Sequence, residues 1–67
     1  MNKETLKIQF NVNANQLNWH PHASGACEYA NVGPYTVWRE ERGGKFHYEV
    51  SRDNSVCQWR ADLSQYL

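Results

Sequence analysis

A Gly-Gly pair between two aromatic stretches constrains the fold of this chain more than any other feature. Residues 35–50 read YTVWREERGGKFHYEV, with Gly43 and Gly44 near the centre. Glycine readily adopts the positive φ angles that tight hairpin turns require. The stretch therefore predicts a β-hairpin.

Two registers of this hairpin compete. With both glycines at the centre of the turn, Trp38 pairs with Glu49. A shifted register pairs Glu40 with Lys45, sets apolar residues opposite each other and brings His47 opposite Trp38. Because opposite charges and apolar pairs across strands are stabilising, the shifted register is the one we predict.

Alternation of side chains then divides the hairpin into two faces. The apolar face predicted to meet the core holds Tyr35, Val37, Phe46, Tyr48 and Val50. The other face is predicted to bind a partner and holds Thr36, Trp38, Glu40, Lys45, His47 and Glu49.

Other elements follow from the period of the apolar residues. Residues 5–12, TLKIQFNV, alternate between apolar and polar, which predicts a half-buried strand. Residues 20–33 carry glycine and proline and are predicted to be mostly loop, with ACEYANV as a short edge strand.

The C-terminal stretch SVCQWRADLSQYL has apolar residues at positions 56, 59, 63, 66 and 67. This spacing predicts a helix with Trp59 in the core, and Ser55 with Gln58 fits a capping box. The alternative is a last strand over SVCQW with a helix only in residues 61–67. In both cases, Asp53 and Asn54 are predicted to form the turn that precedes this helix or strand.

Together these elements predict one small domain, residues 1–67, of the α+β class. It would be a three- to four-stranded antiparallel sheet with one C-terminal helix packed on one face. The second sheet face would stay open to solvent or to a partner.

Charge and hydropathy exclude some functions. Seven basic and seven acidic side chains cancel, whereas binding of duplex nucleic acid through phosphates requires a basic surface. No apolar run approaches the roughly 18 residues of a membrane span, and the N-terminal residues have no signal-peptide-like run. We therefore expect a cytoplasmic protein with Cys27 and Cys57 as reduced thiols.

Chemistry-bearing residues are few. His20, His22, Cys27 and Cys57 are of types that bind zinc, but their spacing fits no common zinc motif. A cysteine could pair with His47 as a nucleophile, but no orienting group is evident. We therefore expect no catalytic residue, no metal, no cofactor and no enzymatic activity.

The remaining tryptophans have different expected roles. Trp19 fits the core and the surface equally well. Trp38 lies on the predicted open face, where an exposed tryptophan is typical of a protein-binding hot spot. The alternative is that a loop, such as residues 20–33, folds over Trp38.

The order of a tryptophan, a Gly-x-Tyr segment, a charged turn and an aromatic strand resembles small proteins encoded by phages and prophages. The matching residues are Trp19, Gly33, Tyr35, Gly44, Phe46 and Tyr48. The resemblance implies an accessory protein in the host cytoplasm that binds a host or phage protein. Small phage proteins of this kind include inhibitors of bacterial defence complexes such as CRISPR effectors.

Three functions remain open on the sequence. The first is a protein-binding module that inhibits a host complex, and the small core with an open aromatic face also predicts a homodimer. The second is a single-stranded nucleic-acid binder that stacks bases on Trp38 and His47 beside Arg39, Arg42 and Lys45. The third is a zinc-stabilised mini-domain.

Overall fold

The computed structural model describes residues 1–67 and is dominated by one antiparallel sheet. Its helix and strands are α1 (Lys3–Phe10), β1 (His20–Pro21), β2 (Glu28–Val32), β3 (Tyr35–Arg42), β4 (Lys45–Arg52) and β5 (Ser55–Val56). Short 3-10 turns occupy Ala14–Gln16 and Ser64–Tyr66. The strands are arranged in the order β1-β2-β3-β4-β5, so each strand pairs with its neighbour in sequence.

Three two-residue turns, spaced ten residues apart, connect β2 to β5. They are Gly33-Pro34, Gly43-Gly44 and Asp53-Asn54. Both residues of the second and third turns have positive φ, from 52° to 81°, as a type I′ turn requires. The predicted hairpin about Gly43-Gly44 is confirmed, and the Asp53-Asn54 turn leads into a fifth strand.

The register predicted for the central hairpin is wrong. Trp38 pairs with Glu49, Glu40 with His47, and Arg42 with Lys45. The predicted register would have placed Arg42 in the turn at positive φ, which costs a non-glycine residue about 1–2 kcal/mol. Turn geometry therefore outweighs the cross-strand pairs. Because the two registers differ by an even shift, every side chain keeps its predicted face.

The strand predicted over residues 5–12 is also wrong, because Lys3–Phe10 forms the helix α1. Leu6 and Phe10, one helical turn apart, are fully buried, whereas Ile8 between them is 69% exposed. Leu6 and Phe10 are four residues apart, a spacing that a helix also places on one face, and the helix leaves Ile8 outside the core.

Two asparagines define the ends of α1. The side chain of Asn2 accepts a hydrogen bond from the backbone N–H of Thr5 at 2.8 Å. Asn11 takes the left-handed conformation with φ 54°, and its N–H donates to the Lys7 carbonyl at 2.9 Å. These are the side chains and the backbone conformation that helix ends favour.

No α-helix forms in the C-terminal stretch, so that prediction is wrong as well. β5 contains only Ser55–Val56, and the chain then runs along the end of α1. The N–H groups of Ala61 and Leu63 donate to the carbonyls of Gln9 and Phe10, at 3.2 and 2.9 Å. The alternative with a last strand here is closer to the structure. Trp59 is 50% exposed and is not part of the core.

The core lies on one side of the sheet. It holds Leu6, Phe10, Val12, Ala14, Leu17, Ala30, Val32, Tyr35, Val37, Tyr48, Val50, Cys57 and Leu63. The fold is therefore α+β with a five-stranded sheet and an N-terminal helix, not three or four strands with a C-terminal one. None of its helices has the length and apolar character needed to cross a membrane.

Candidate binding surface

The sheet face turned away from the core, here called the open face, carries all six residues of the predicted partner-binding set. They are Thr36, Trp38, Glu40, Lys45, His47 and Glu49. They share a face because residues in register and residues two apart along a strand point the same way. In the observed register His47 lies opposite Glu40, one pair along from Trp38, rather than opposite Trp38 itself.

An aromatic row crosses this face in strand register. His20 of β1 pairs with Tyr29 of β2, which pairs with Trp38 of β3. The ring centroids of His20 and Tyr29 are 5.6 Å apart, and those of Tyr29 and Trp38 are 5.5 Å apart. Both pairs are tilted, and their separations are typical of aromatic contacts.

Trp38 at the end of the row is held in place on several sides. Its indole N–H donates to the Ser51 hydroxyl at 3.2 Å. The His22 ring meets it edge-on, with centroids 5.5 Å apart and planes inclined by 63°. Trp38 is therefore half-buried. Residues of the 20–33 region lie against its ring, in line with the alternative that a loop covers it, although part of it reaches solvent.

The loop that carries His22 has its own hydrogen bonds. The backbone N–H of Ser24 donates to His22 Nδ1 at 3.2 Å, and the His22 N–H donates to the Cys27 carbonyl at 3.0 Å. The Ser24 hydroxyl also lies 2.9 Å from this nitrogen. The imidazole is thereby oriented towards Trp38.

A groove of about 370 Å³ is lined by Trp38, Glu40, His47 and Glu49, together with Met1, Cys27, Arg39, Arg42 and Tyr48. Four of the six predicted residues therefore come together in one concavity. Glu40 is paired with Arg42, whereas Glu49 forms no ion pair. The groove thus combines an indole with both acidic and basic residues.

Arg39, which the nucleic-acid alternative placed beside a bound backbone, lies on the core side instead. Its Nε donates to Glu28 Oε1 at 2.9 Å. Its guanidinium carbon lies 4.2 Å from the ring centroid of Trp19 and 4.5 Å from that of Phe46. Arg39 therefore has a structural role: it forms cation–π contacts with the two rings and an ion pair with the Glu28 carboxylate.

Trp19, which fitted core and surface equally, packs at the edge of the core. Its indole N–H donates to the Ala14 carbonyl at 2.9 Å, and its ring centroid is 6.0 Å from that of Tyr48.

The possible sites for metal binding and catalysis are not assembled. No three histidine, cysteine or carboxylate side chains lie together in a way that could hold a metal ion, which leaves the zinc alternative without support. Cys27 and His47 both line the groove, but no hydrogen bond joins them. Cys57 is buried in the core, and burial raises the pKa of its thiol.

Sequence reasoning did not assign His20, His22, Tyr29 or Ser51 to the open face. Tyr29 and Trp38 could have been paired by counting outward from Gly33-Pro34 as a two-residue turn. The contact of His22 with Trp38 depends on the loop conformation, for which the sequence offers no comparable signal.

Comparisons with known proteins add no relative. No protein family, curated protein or solved structure matches this chain. The function is therefore argued from the geometry of the open face.

Proposed function

We propose that this protein is a non-enzymatic binding module that recognises a partner protein through its open face. The observation that carries the proposal is the row His20, Tyr29 and Trp38, which crosses three strands on the side away from the core. The helix and the C-terminal stretch both pack on the opposite side, so no element of the chain covers this row apart from the loop with His22.

The composition of the open face supports a protein partner. Interface hot spots are rich in tryptophan, tyrosine and arginine and are surrounded by polar residues that exclude water. Here the aromatic row is flanked on one side by Asn31, Thr36 and Ser51, with Val56 beyond them at the sheet edge, and on the other by Glu40, His47, Arg42 and Lys45. Such a polar rim around an aromatic centre is typical of reversible protein interfaces.

Charge disfavours the nucleic-acid alternative. Of the three basic residues invoked for it, Arg39 lies on the core side and Arg42 is paired with Glu40. Glu40 and Glu49 lie beside the aromatic row, where they would repel phosphates. A stacking platform for single strands combines its aromatic residues with a positively charged groove, whereas the groove beside Trp38 has glutamates as well as arginines in its lining.

The identity of the partner is a further part of the proposal. The resemblance to small phage proteins supports a host complex, such as a bacterial defence complex, as a target that the module would inhibit. That support comes from the resemblance alone.

Cross-linking capture from a host lysate tests the proposal. Wild-type protein should retain a specific partner, and Tyr29→Ala and Trp38→Ala should each lose most of it, provided that circular dichroism shows them folded. Trp59→Ala serves as the matched control because Trp59 is exposed and its carbonyl accepts a hydrogen bond from Gln9 of α1, on the side away from the open face. Capture that is lost in Trp59→Ala but kept in both open-face variants would refute the proposal.

Sedimentation of the purified protein distinguishes a second copy from a foreign partner. A dimer that dissociates on Trp38→Ala would identify the partner of the open face as another copy of the chain. A dimer that persists in the variant would place self-association elsewhere.

A further inference from the structure

The indole N–H of Trp38 has its hydrogen-bond partner within the chain. In the β3–β4 register Ser51 lies opposite Thr36, two residues from Trp38, so Ser51 and Trp38 are diagonal neighbours on the open face. Such neighbours are within reach of an aromatic side chain. Trp38 Nε1–H donates to the Ser51 hydroxyl at 3.2 Å, and both side chains are half-buried.

The Ser51 hydroxyl is in turn oriented by the backbone of β3. It donates to the carbonyl oxygen of Thr36, which lies 3.5 Å from the hydroxyl oxygen. A hydroxyl has one proton and two lone pairs, so a hydroxyl that donates to a carbonyl still accepts from an indole. Ser51 provides the one acceptor that the Trp38 N–H has in the structure.

This hydrogen bond matters most when Trp38 becomes buried against a partner. The N–H is the only hydrogen-bonding group of a tryptophan side chain, and a buried donor without an acceptor costs binding free energy. Because Ser51 already accepts from Trp38, the indole can be buried without removing a water molecule from its N–H. The bond also restricts the ring before binding, which lowers the entropic cost of association.

We infer that Ser51 is a positioning residue for binding through the open face, because it orients the Trp38 indole and satisfies its N–H. The partner then contacts the carbon surface of the indole and need not supply an acceptor. The inference rests on the proposed binding function and adds to it a residue that acts through Trp38.

The indole N–H signal of Trp38 in two-dimensional ¹H–¹⁵N NMR measures this hydrogen bond in the free protein. Ser51→Ala should shift the indole proton upfield and speed its exchange with water, because the acceptor is lost. Ser51→Thr keeps a hydroxyl and should restore the wild-type signal. The Trp19 indole N–H, which donates to the Ala14 carbonyl, is an internal reference that should not move.

Isothermal titration with the captured partner measures the effect on binding. Ser51→Ala should weaken binding about tenfold, in the range expected for one buried donor left without an acceptor. Ser51→Thr should bind like wild type. Ser55→Ala is the matched control, because Ser55 pairs with Arg52 and therefore lies on the opposite face from Ser51.

A Trp38→Phe background separates positioning from direct contact. Phenylalanine keeps an aromatic ring but has no N–H, so Ser51→Ala should have no further effect on affinity in this background. An equal loss in both backgrounds would mean that Ser51 contacts the partner itself, which would overturn the inference.

Two other results would also overturn it. An unchanged Trp38 indole signal in Ser51→Ala would show that the hydrogen bond does not form. Wild-type affinity in a folded Ser51→Ala variant with a shifted indole signal would show that the bond has no role in binding. If Trp38→Ala still loses the partner in either case, the binding function stands and only the role of Ser51 is refuted.

Discussion

Tyr29 and Trp38 lie opposite each other on neighbouring strands, with ring centroids 5.5 Å apart and planes inclined by 44°. Both are half-buried although they point away from the core. The contact joins β2 to β3 on the open face and positions the indole that forms one wall of the groove. It is therefore both a stabilising pair and part of the proposed binding surface.

A double-mutant cycle measures this contact. Tyr29→Ala, Trp38→Ala and the double variant should show a coupling free energy of about 0.5–1.5 kcal/mol in chemical denaturation. Tyr29→Ala combined with Tyr66→Ala is the control, because Tyr66 packs near Tyr35 on the core side. That second cycle should be additive. Additivity in the first cycle would show that the two rings do not stabilise each other.

Substitutions of Phe10 in α1 and of Trp59 in the C-terminal stretch test which of these two side chains packs in the core. Phe10 is fully buried, so Phe10→Ala should lower the free energy of unfolding by about 3–5 kcal/mol. Trp59 is 50% exposed, so Trp59→Ala should change it by about 0.5 kcal/mol or less. Urea denaturation of both variants measures the difference. A larger loss of stability in Trp59→Ala than in Phe10→Ala would instead support the C-terminal helix predicted from the sequence.

The parts of the fold that local chemistry determines could be predicted. Gly43 and Gly44 indicated the hairpin, and alternation along it assigned Trp38, His47 and Glu49 to one face. The same signal repeated at Gly33-Pro34 and Asp53-Asn54 would have indicated the whole succession of hairpins, since all three turns are ten residues apart.

The parts that depend on distant contacts could not be predicted. Residues 57–63 satisfy backbone N–H groups with carbonyls of β4 and of the end of α1, so their own helical spacing does not decide their conformation. In α1, Asn2 and Asn11 cap a helix although the alternating apolar pattern favours a strand, and Ile8 is left exposed. The groove beside Trp38 depends on the register of the β3–β4 hairpin. The geometry of the turn determined that register, although the cross-strand pairs favoured the other one.

Gly33 should tolerate no side chain. It has φ +58°, and a Cβ placed there would lie 2.5 Å from the ring of Tyr66. Gly33→Ala should therefore cost about 1–2 kcal/mol for the backbone conformation and about 1–3 kcal/mol for overpacking. Thermal denaturation of Gly33→Ala with and without Tyr66→Ala separates the two effects. Removing the ring should relieve only the overpacking, and an undiminished cost in the double variant would place all of the strain in the backbone.

Acid should weaken the attachment of the C-terminal stretch through Asp62. Hydrogen bonds from the Ser64 hydroxyl, the Asn11 amide and the Ser64 backbone N–H lower the pKa of this carboxyl below its ordinary value of 3.8. Its contribution to stability is therefore complete above that value and is lost as the pH falls through the lower pKa of the folded state.

Melting temperatures measured across the pH range test this role of Asp62. Asp62→Asn should melt below wild type at neutral pH, and the difference should shrink as the pH falls below 3.8. Glu41→Gln is the control for the loss of a surface carboxylate, because Glu41 forms no ion pair. If the difference in melting temperature between Asp62→Asn and wild type does not vary with pH, the charge of Asp62 does not contribute to stability.

The affinity of the captured partner for wild type and two tryptophan variants tests the central claim most directly. Isothermal titration should show Trp38→Ala binding about 2 kcal/mol more weakly, roughly thirtyfold in Kd, as expected for a hot-spot tryptophan. Trp59→Ala should bind like wild type, because Trp59 is exposed but lies outside the open face. Wild-type affinity in a folded Trp38→Ala variant, together with a large loss in Trp59→Ala, would contradict the assignment of binding to the open face.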